Sequence, residues 1–352
     1  MQHVRYRYIT KKQHIRARAS VITGRRPCSY KNEGRVSFMK KNMRKRLVAG
    51  IVATMMMTTM FTGCGSSSET TTGAAKETEG TTAGAATEGT SGEKKVLKVG
   101  IECAYAPYNW TQEEETVANG DKAVKIKNAE GYAYGYDVKL AQMIADELGW
   151  DLEIYKSDWS AIFMGMADGT YDCIMSGFCY SEERDISYDF TSPYYCRTIV
   201  ATVREDSPLA SVTKLSEFEG KNPTICTQLG TNYVPYKDEV PSGVAATDYE
   251  TSAECFMAVQ NKSADMVILD ITTTKSALAS MTGLKMLTLD PSDDFVAPEG
   301  STNDCCICFS EGSPLRDTVQ GAMDKIGWTK EHRSDKFDPM MDEMLKLQPS
   351  SN

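Results

Sequence analysis

Histidine is nearly missing from this chain: 352 residues contain three. His3 and His14 fall in the first 38 residues, and His332 lies in a polar C-terminal stretch. Imidazole is the side chain most used for proton transfer, so this scarcity argues against His-based catalysis. No Gly-x-x-x-x-Gly-Lys-Ser/Thr loop occurs, so the chain is not itself an ATPase. A membrane-spanning helix needs roughly 20 apolar residues, and the run Leu47 to Phe61 supplies about 15.

That short run has meaning in context. Lys40, Lys41, Arg44, Lys45 and Arg46 precede it, and Phe61-Thr62-Gly63-Cys64 ends it. Basic, then apolar, then small residues ending in Cys is the order of a bacterial lipoprotein signal. The expectation is a signal peptide over 39–63, cleavage before Cys64, and a lipid on its sulfur that holds the chain on the extracytoplasmic face of a cell membrane. The alternative is a short anchor or a buried helix. Residues 64–95 are almost all Gly, Ser, Thr, Ala and Glu, a composition that predicts a flexible tether. Residues 1–38 fit no part of this plan, since Met39 or Met43 would start a signal of normal length; they read as an upstream extension. Removing residues 1–63 takes away 15 of 39 basic and one of 48 acidic residues and leaves a net charge of −23. So acidic a domain argues against nucleic acid as a partner.

Of 11 cysteines, Cys28 and Cys64 belong to the leader, which leaves nine. In an exported chain this usually means disulfides. The count is odd, however, and Cys173, Cys226, Cys305, Cys306 and Cys308 sit in apolar, strand-like runs, where a free Cys acts as a small hydrophobe. Free thiols are expected. Cys-Cys-x-Cys without a second cluster is not a metal-site spacing, so no metal and no cofactor is expected.

From Val96 onward strand and helix patterns alternate. Strands are predicted at 96–101, 152–155, 171–176, 198–203, 224–227, 266–269 and 306–309. Helices are predicted at 138–148 (closed by Gly149), 159–167, 252–260, 272–279 and 314–326. Such alternation means α/β layers with mostly parallel sheets. Ala167-Asp-Gly-Thr-Tyr-Asp-Cys-Ile-Met also echoes Gln260-Asn-Lys-Ser-Ala-Asp-Met-Val-Ile, as two similarly built lobes would.

Seven segments then carry a resemblance. They are Val99-Gly-Ile-Glu-Cys-Ala-Tyr-Ala-Pro-Tyr, Gly135-Tyr-Asp-Val-Lys-Leu-Ala, Ser157-Asp-Trp-Ser-Ala-Ile, Gly169-Thr-Tyr-Asp-Cys-Ile-Met-Ser-Gly, Ser181-Glu-Glu-Arg-Asp-Ile-Ser-Tyr-Asp-Phe-Thr-Ser-Pro-Tyr-Tyr, Gln228-Leu-Gly-Thr and Ala264-Asp-Met-Val-Ile-Leu-Asp. In this order, over nearly all of 96–346, the chain resembles solute-binding protein family 3, the extracytoplasmic solute-binding proteins of polar amino-acid ABC importers. The resemblance implies a two-lobed periplasmic-binding-protein-like fold (type II), with two α/β lobes joined by two hinge strands. The crossings are placed near 196–198 and 303–305, giving one lobe from 96–196 with 304–352 and another from 197–303. It also implies a monomer that delivers an amino acid to a permease and its ATPase.

The chemistry of such a ligand fits the residues. A zwitterion leaves water only where each charge finds a partner. A carboxylate suits the planar fork of Arg. Arg184 follows a turn and matches the family's carboxylate-binding Arg; the alternative is a surface Arg paired with Glu182 or Glu183. Thr231 and Asn232, after Gly230, match a second carboxylate site, although the family commonly has Thr where Asn232 stands. Asp270, at the end of an apolar strand, matches the ammonium binder, with a helix N-cap as the alternative or additional role. Ser176 and Gly177 match positions that bond the ligand's main-chain groups, and Cys179 stands where Ser or Thr is usual. Tyr105 and Trp159 match the residues that sandwich the side chain, and Tyr108 reads equally as core. Glu102 suits a basic or amide end, so a polar or basic amino acid is expected. Arg184→Ala or Asp270→Ala is expected to leave the domain folded and weaken binding. The 111–130 segment reads as a polar insertion at the cleft mouth. Two rivals remain, a cyclohexadienyl dehydratase-like enzyme with Glu102 as general acid, and a tethered sensor.

Overall fold

The structure is a computed structural model that describes residues 94–349. The expected upstream extension, the expected signal, the lipidation expected at Cys64, and all but the last residues of the expected tether fall outside the described residues.

Apolar runs build two five-stranded sheets. In the first the order is β6 (Asp151–Lys156), β1 (Val96–Ile101), β7 (Cys173–Ile174), β16 (Cys308–Ser310) and β9 (Tyr188–Phe190). In the second it is β12 (Val244–Ala245), β11 (Thr224–Cys226), β13 (Met266–Asp270), β10 (Ile199–Arg204) and β14 (Leu284–Met286). Each sheet has three parallel strands followed by a reversed fourth strand that pairs antiparallel on both sides. Each is the centre of one lobe of a two-lobed α/β fold.

The sequence echo is a real structural repeat. It leads from α2 (Ile162–Ala167) into β7 and from α3 (Ser252–Gln260) into β13, the central strand of each sheet. Both turns contain a residue with positive φ, Gly169 at 80° and Lys262 at 70°. The Asp before each strand caps a neighbouring one: Asp172 accepts from the Lys98 N–H at 2.9 Å and Asp265 from the Thr224 N–H at 3.0 Å.

Helix α1 (Tyr136–Leu148) buries Val138, Leu140, Ala141 and Ile144 against the first sheet and ends at Gly149, whose φ of 67° supplies the left-handed cap. Helices α4 (Ile271–Ser280), α5 (Leu315–Lys325) and α6 (Asp338–Leu347) complete the layers. The first lobe has an apolar core on each face of its sheet, one around Leu97, Val99 and Ile144, the other around Ile162, Ile174 and Phe178; the second lobe has its own around Ile225, Phe256 and Ile268.

Three local expectations change. Residues 159–167 are a 3₁₀ turn, Trp159–Ala161, followed by α2, not one helix. The strand predicted at 171–176 pairs over Cys173–Ile174 alone. The 111–130 segment, expected as a polar insertion, contributes to a small sheet with its flanks, in the order β2 (Ala104–Tyr105), β3 (Asn109–Gln112), β5 (Tyr132–Tyr134) and β4 (Val124–Lys125). Its scattered apolar residues Val117, Ala123 and Ile126 are buried, and Asp121 holds it to α1 through Lys139 at 2.5 Å.

Between the lobes the chain crosses over residues 191–198 and returns along β15 (Ser301–Cys305), which pairs antiparallel with β8 (Cys179–Ser181). The two crossing segments are themselves bridged at Tyr195 and Cys305.

Candidate functional site

The lobes meet at a cleft lined by Tyr105, Trp159, Ser176, Gly177, Cys179 and Arg184 from the first, Gln228, Thr231, Asn232 and Tyr233 from the second, and Arg197 from the crossing. The enclosed space is about 10 Å³, room for one water at most. The cleft is therefore closed on its own side chains.

Arg184 reaches from the first lobe across to the second. Its Nη1 donates to the Cys179 carbonyl at 2.9 Å and to Asn232 Oδ1 at 2.5 Å, and its Nη2 donates to the Gly230 carbonyl at 3.0 Å. The guanidinium lies 4.1 Å from the centre of the Phe178 ring. All three acceptors are neutral, so the fork is held in place without a carboxylate on it.

Asp270 closes β13 and caps α4. Its Oδ1 accepts the backbone N–H groups of Thr272 at 3.0 Å and Thr273 at 3.1 Å, which realises the N-cap role. Its Oδ2 accepts hydroxyls from Tyr105 and Tyr233, both at 2.9 Å, and Oδ1 accepts one from Tyr108 at 3.2 Å. Burial works against the charge, but the Arg197 guanidinium, 4.0 Å away, and the threonine hydrogen bonds outweigh it and hold the carboxyl below the usual range. Asp270 is 0% exposed and sits behind Tyr105 and Tyr233 rather than on the cleft wall.

Arg197 is the residue that sequence reasoning missed. Its side chain is 3% exposed. It donates to Tyr105 at 3.1 Å, to Tyr233 at 2.6 Å, to the Asn303 carbonyl at 2.8 Å, and to the Cys179 sulfur. Each tyrosine hydroxyl thus takes a proton contact from Arg197 and gives its own to Asp270. Gln228 and Tyr233 were also not singled out, although Gln228 begins one of the quoted segments and Tyr233 follows Asn232. Nothing local marks Arg197, whose partners are at 105, 179, 233 and 303.

Gly177 is required where it stands. Its φ is +60°, and a Cβ there would lie 2.7 Å from the Tyr105 ring. Ser176 accepts from the Glu102 N–H at 3.2 Å, and Thr231 donates to the Gln228 carbonyl at 2.6 Å. Trp159 spans the lobes through its indole N–H to the Leu229 carbonyl at 2.8 Å. Tyr108 is core by burial and a partner of Asp270 by its hydroxyl.

Glu102 lies behind Gln228, which donates to it at 3.3 and 3.5 Å. Burial first, then the nearby Glu250, Asp158 and Asp137, push its carboxyl up to about 7 against the Gln228 hydrogen bond. Asp137, under Tyr194 and Asn109, is likewise pushed up to about 7 by burial. Both groups hold protons in the folded state that the unfolded chain releases. Their contribution to stability is complete below the ordinary carboxylate range and is lost as pH rises toward about 7. Each adds a slope of up to about 1.4 kcal/mol per pH unit in that window. Melting temperatures measured between pH 5 and 8 should fall with pH, and Glu102→Gln and Asp137→Asn should each flatten the curve. An unchanged curve in both variants would contradict these pKa values.

Among the described residues, no cluster of three or more His, Cys, Asp or Glu side chains is placed to hold a metal ion. No described helix is long and apolar enough to cross a membrane.

Residues 97–333 match the family described as bacterial extracellular solute-binding proteins, family 3. The chain belongs to this family. It is similar to the L-cystine-binding protein TcyJ of Escherichia coli (strain K12), with 24% identity over 178 residues, 51% of this chain and 60% of that protein. The chain thus spans less than two thirds of the length of this relative. It is 22% identical over 250 residues to the arginine-binding extracellular protein ArtP of Bacillus subtilis (strain 168), covering 70% of this chain and 86% of that one. A shorter match, 31% over 102 residues, covers 29% of this chain and 32% of a cyclohexadienyl dehydratase of Pseudomonas aeruginosa. A solved amino-acid ABC transporter substrate-binding protein of Streptococcus pneumoniae bound to L-arginine superposes with a TM-score of 0.57 at 22% identity, over 72% of this chain and 95% of that one. These likenesses establish the two-lobed fold of an extracellular family made up mainly of non-enzymatic binding proteins.

Proposed function

We propose that this protein is the binding component of an amino-acid ABC importer. It captures a polar or basic L-amino acid between its lobes and is held on the extracytoplasmic face of the cell membrane through lipid on Cys64. Arg184 carries the reading. A guanidinium fixed by neutral acceptors at the lobe boundary keeps its charge for an incoming carboxylate. Gly230, Thr231 and Asn232 face it from the second lobe. The tyrosine shell of Asp270 supplies the negative side on which an ammonium is received, and entry requires the lobes to part and the Arg197 contacts to yield. Tyr105 and Trp159 wall the side chain, with Gln228 and Glu102 as a polar end suited to a basic or amide group. Ligand binding then stabilises the closed form through its preference for it.

A thermal-shift screen of residues 94–352 against the common amino acids tests this. A ligand at about 100 times its dissociation constant adds roughly 2.7 kcal/mol, and arginine, histidine, glutamine and cystine should be among the responders. No response to any amino acid would reject the reading.

Glu102 supports a second reading. A buried carboxyl brought up to about 7 is half protonated near neutral pH, as a general acid requires. Formation of an aromatic product from a cyclic dienyl acid, lost in Glu102→Gln, would establish the enzyme; no product above background would remove it.

A further inference from the structure

Among the described residues all nine cysteines are free, and eight of them are buried, Cys196 being half-buried. Cys226 and Cys255 also lie against each other, in the core of the second lobe, but Cys179 and Cys305 are a pair of which one member lines the cleft. They face each other across the antiparallel pair β8 and β15. Both main-chain groups of Cys305 are spent on the other side, its N–H on the Tyr195 carbonyl at 2.8 Å and its carbonyl on the Tyr194 N–H at 2.7 Å. Opposite Cys179 it therefore occupies a non-hydrogen-bonded position, where Cα atoms approach to about 4.5 Å. That spacing lies inside the range a disulfide spans.

Chemistry separates the two thiols. Cys179 lines the cleft, with Arg197 donating to its sulfur and Arg184 bonded to its carbonyl. Burial raises its thiol, but Cys305 and the two guanidiniums outweigh this and bring it down to about 7, whereas burial pushes Cys305 well up. One sulfur is thus fitted to attack and its neighbour to follow.

We propose that Cys179 and Cys305 are a redox-active dithiol that reduces a small disulfide entering the cleft. The Cys179 thiolate gives an electron pair to one sulfur of the ligand. The ligand S–S bond breaks, and its pair leaves on the other sulfur, which takes a proton from water and departs as a thiol. Cys305 then loses its proton to water and attacks the Cys179 sulfur, expelling the second half of the ligand as a thiolate, which is protonated in turn. The protein dithiol is oxidised by two electrons and the disulfide is reduced to two thiols, with no further reactant in a single turnover. The chemistry uses the same cleft as the solute-binding reading but does not require transport.

The test uses reduced protein, freed of reductant and mixed with cystine, followed by peptide mass spectrometry. Wild type should yield the 179–305 disulfide and release both halves as cysteine. Cys305→Ser should accumulate cysteine disulfide-bonded to Cys179, and Cys179→Ser should give neither product. Cys196 is the control: it is more exposed, but burial holds its thiol up at about 11. Modification of Cys196 ahead of Cys179 would mean that exposure alone decides, and would overturn the proposal. If Cys305→Ser fails to fold, the wild-type crosslink and cysteine release still decide. A domain that binds amino acids in the thermal-shift screen yet forms no adduct at Cys179 refutes the exchange while leaving capture intact.

Discussion

Arg184→Ala should bind its amino acid at least a hundredfold more weakly while melting close to wild type. The two halves of this result have separate causes. A ligand carboxylate buried without its guanidinium loses about 3 kcal/mol or more. Stability is spared because the acceptors of Arg184 are the carbonyls of Cys179 and Gly230 and the amide of Asn232, none of which is left as a buried charge. Arg184→Lys should rescue little, since an ammonium lacks the planar fork. Calorimetry with the strongest responder of the screen measures the loss; affinity within a few-fold of wild type would remove Arg184 from the site.

Asp270→Ala should behave differently and should not leave the domain intact. The sequence alone led to the expectation of a folded variant with weak binding. The structure makes Asp270 the common acceptor of three tyrosine hydroxyls, two threonine hydroxyls and two helix-start N–H groups, and the counter-charge of a fully buried Arg197. Removing one partner of a buried ion pair destabilises by about 3–5 kcal/mol. For a domain of this size that corresponds to a fall in melting temperature of roughly 10 °C. Asp270→Asn should recover part of the loss, because an amide oxygen still caps α4, but it leaves Arg197 uncompensated. A melting temperature unchanged in Asp270→Ala would show that Arg197 finds another partner. Loss of binding in this variant is therefore no proof of a ligand contact, whereas loss in Arg184→Ala is.

The difference between these two residues shows what could be read from the chain. Met266–Asp270 is legible because burial on both faces demands a continuous apolar run, here Met266–Leu269, and Val96–Ile101 because its buried Leu97, Val99 and Ile101 alternate with Lys98 and Gly100. The repeat was visible because each copy needs the same turn and the same capping Asp. The place of Arg184 on the cleft wall was legible through its motif. Arg197 was not, because its contacts are set by how two lobes come together, and no local period records that. The small sheet around 111–130 was missed for a related reason: three isolated apolar residues among many polar ones carry too little pattern until α1 is beside them. Glu102 and Asp137 were visible as residues, but their raised pKa values arise from burial, which only the packed fold imposes.

The bridge between Tyr195 and Cys305 has a mechanical consequence. Two separate strands between two bodies would allow twist as well as swing. Stitched together, they act as a single axle, and opening is reduced to rotation about one line. Arg197, anchored to the Asn303 carbonyl beside that line, travels little as the lobes part. Opening must break the contacts that join the lobes, such as Trp159 with Leu229 and Ser160 with Glu250, while the arginine and the Cys179 sulfur it touches stay beside the axle.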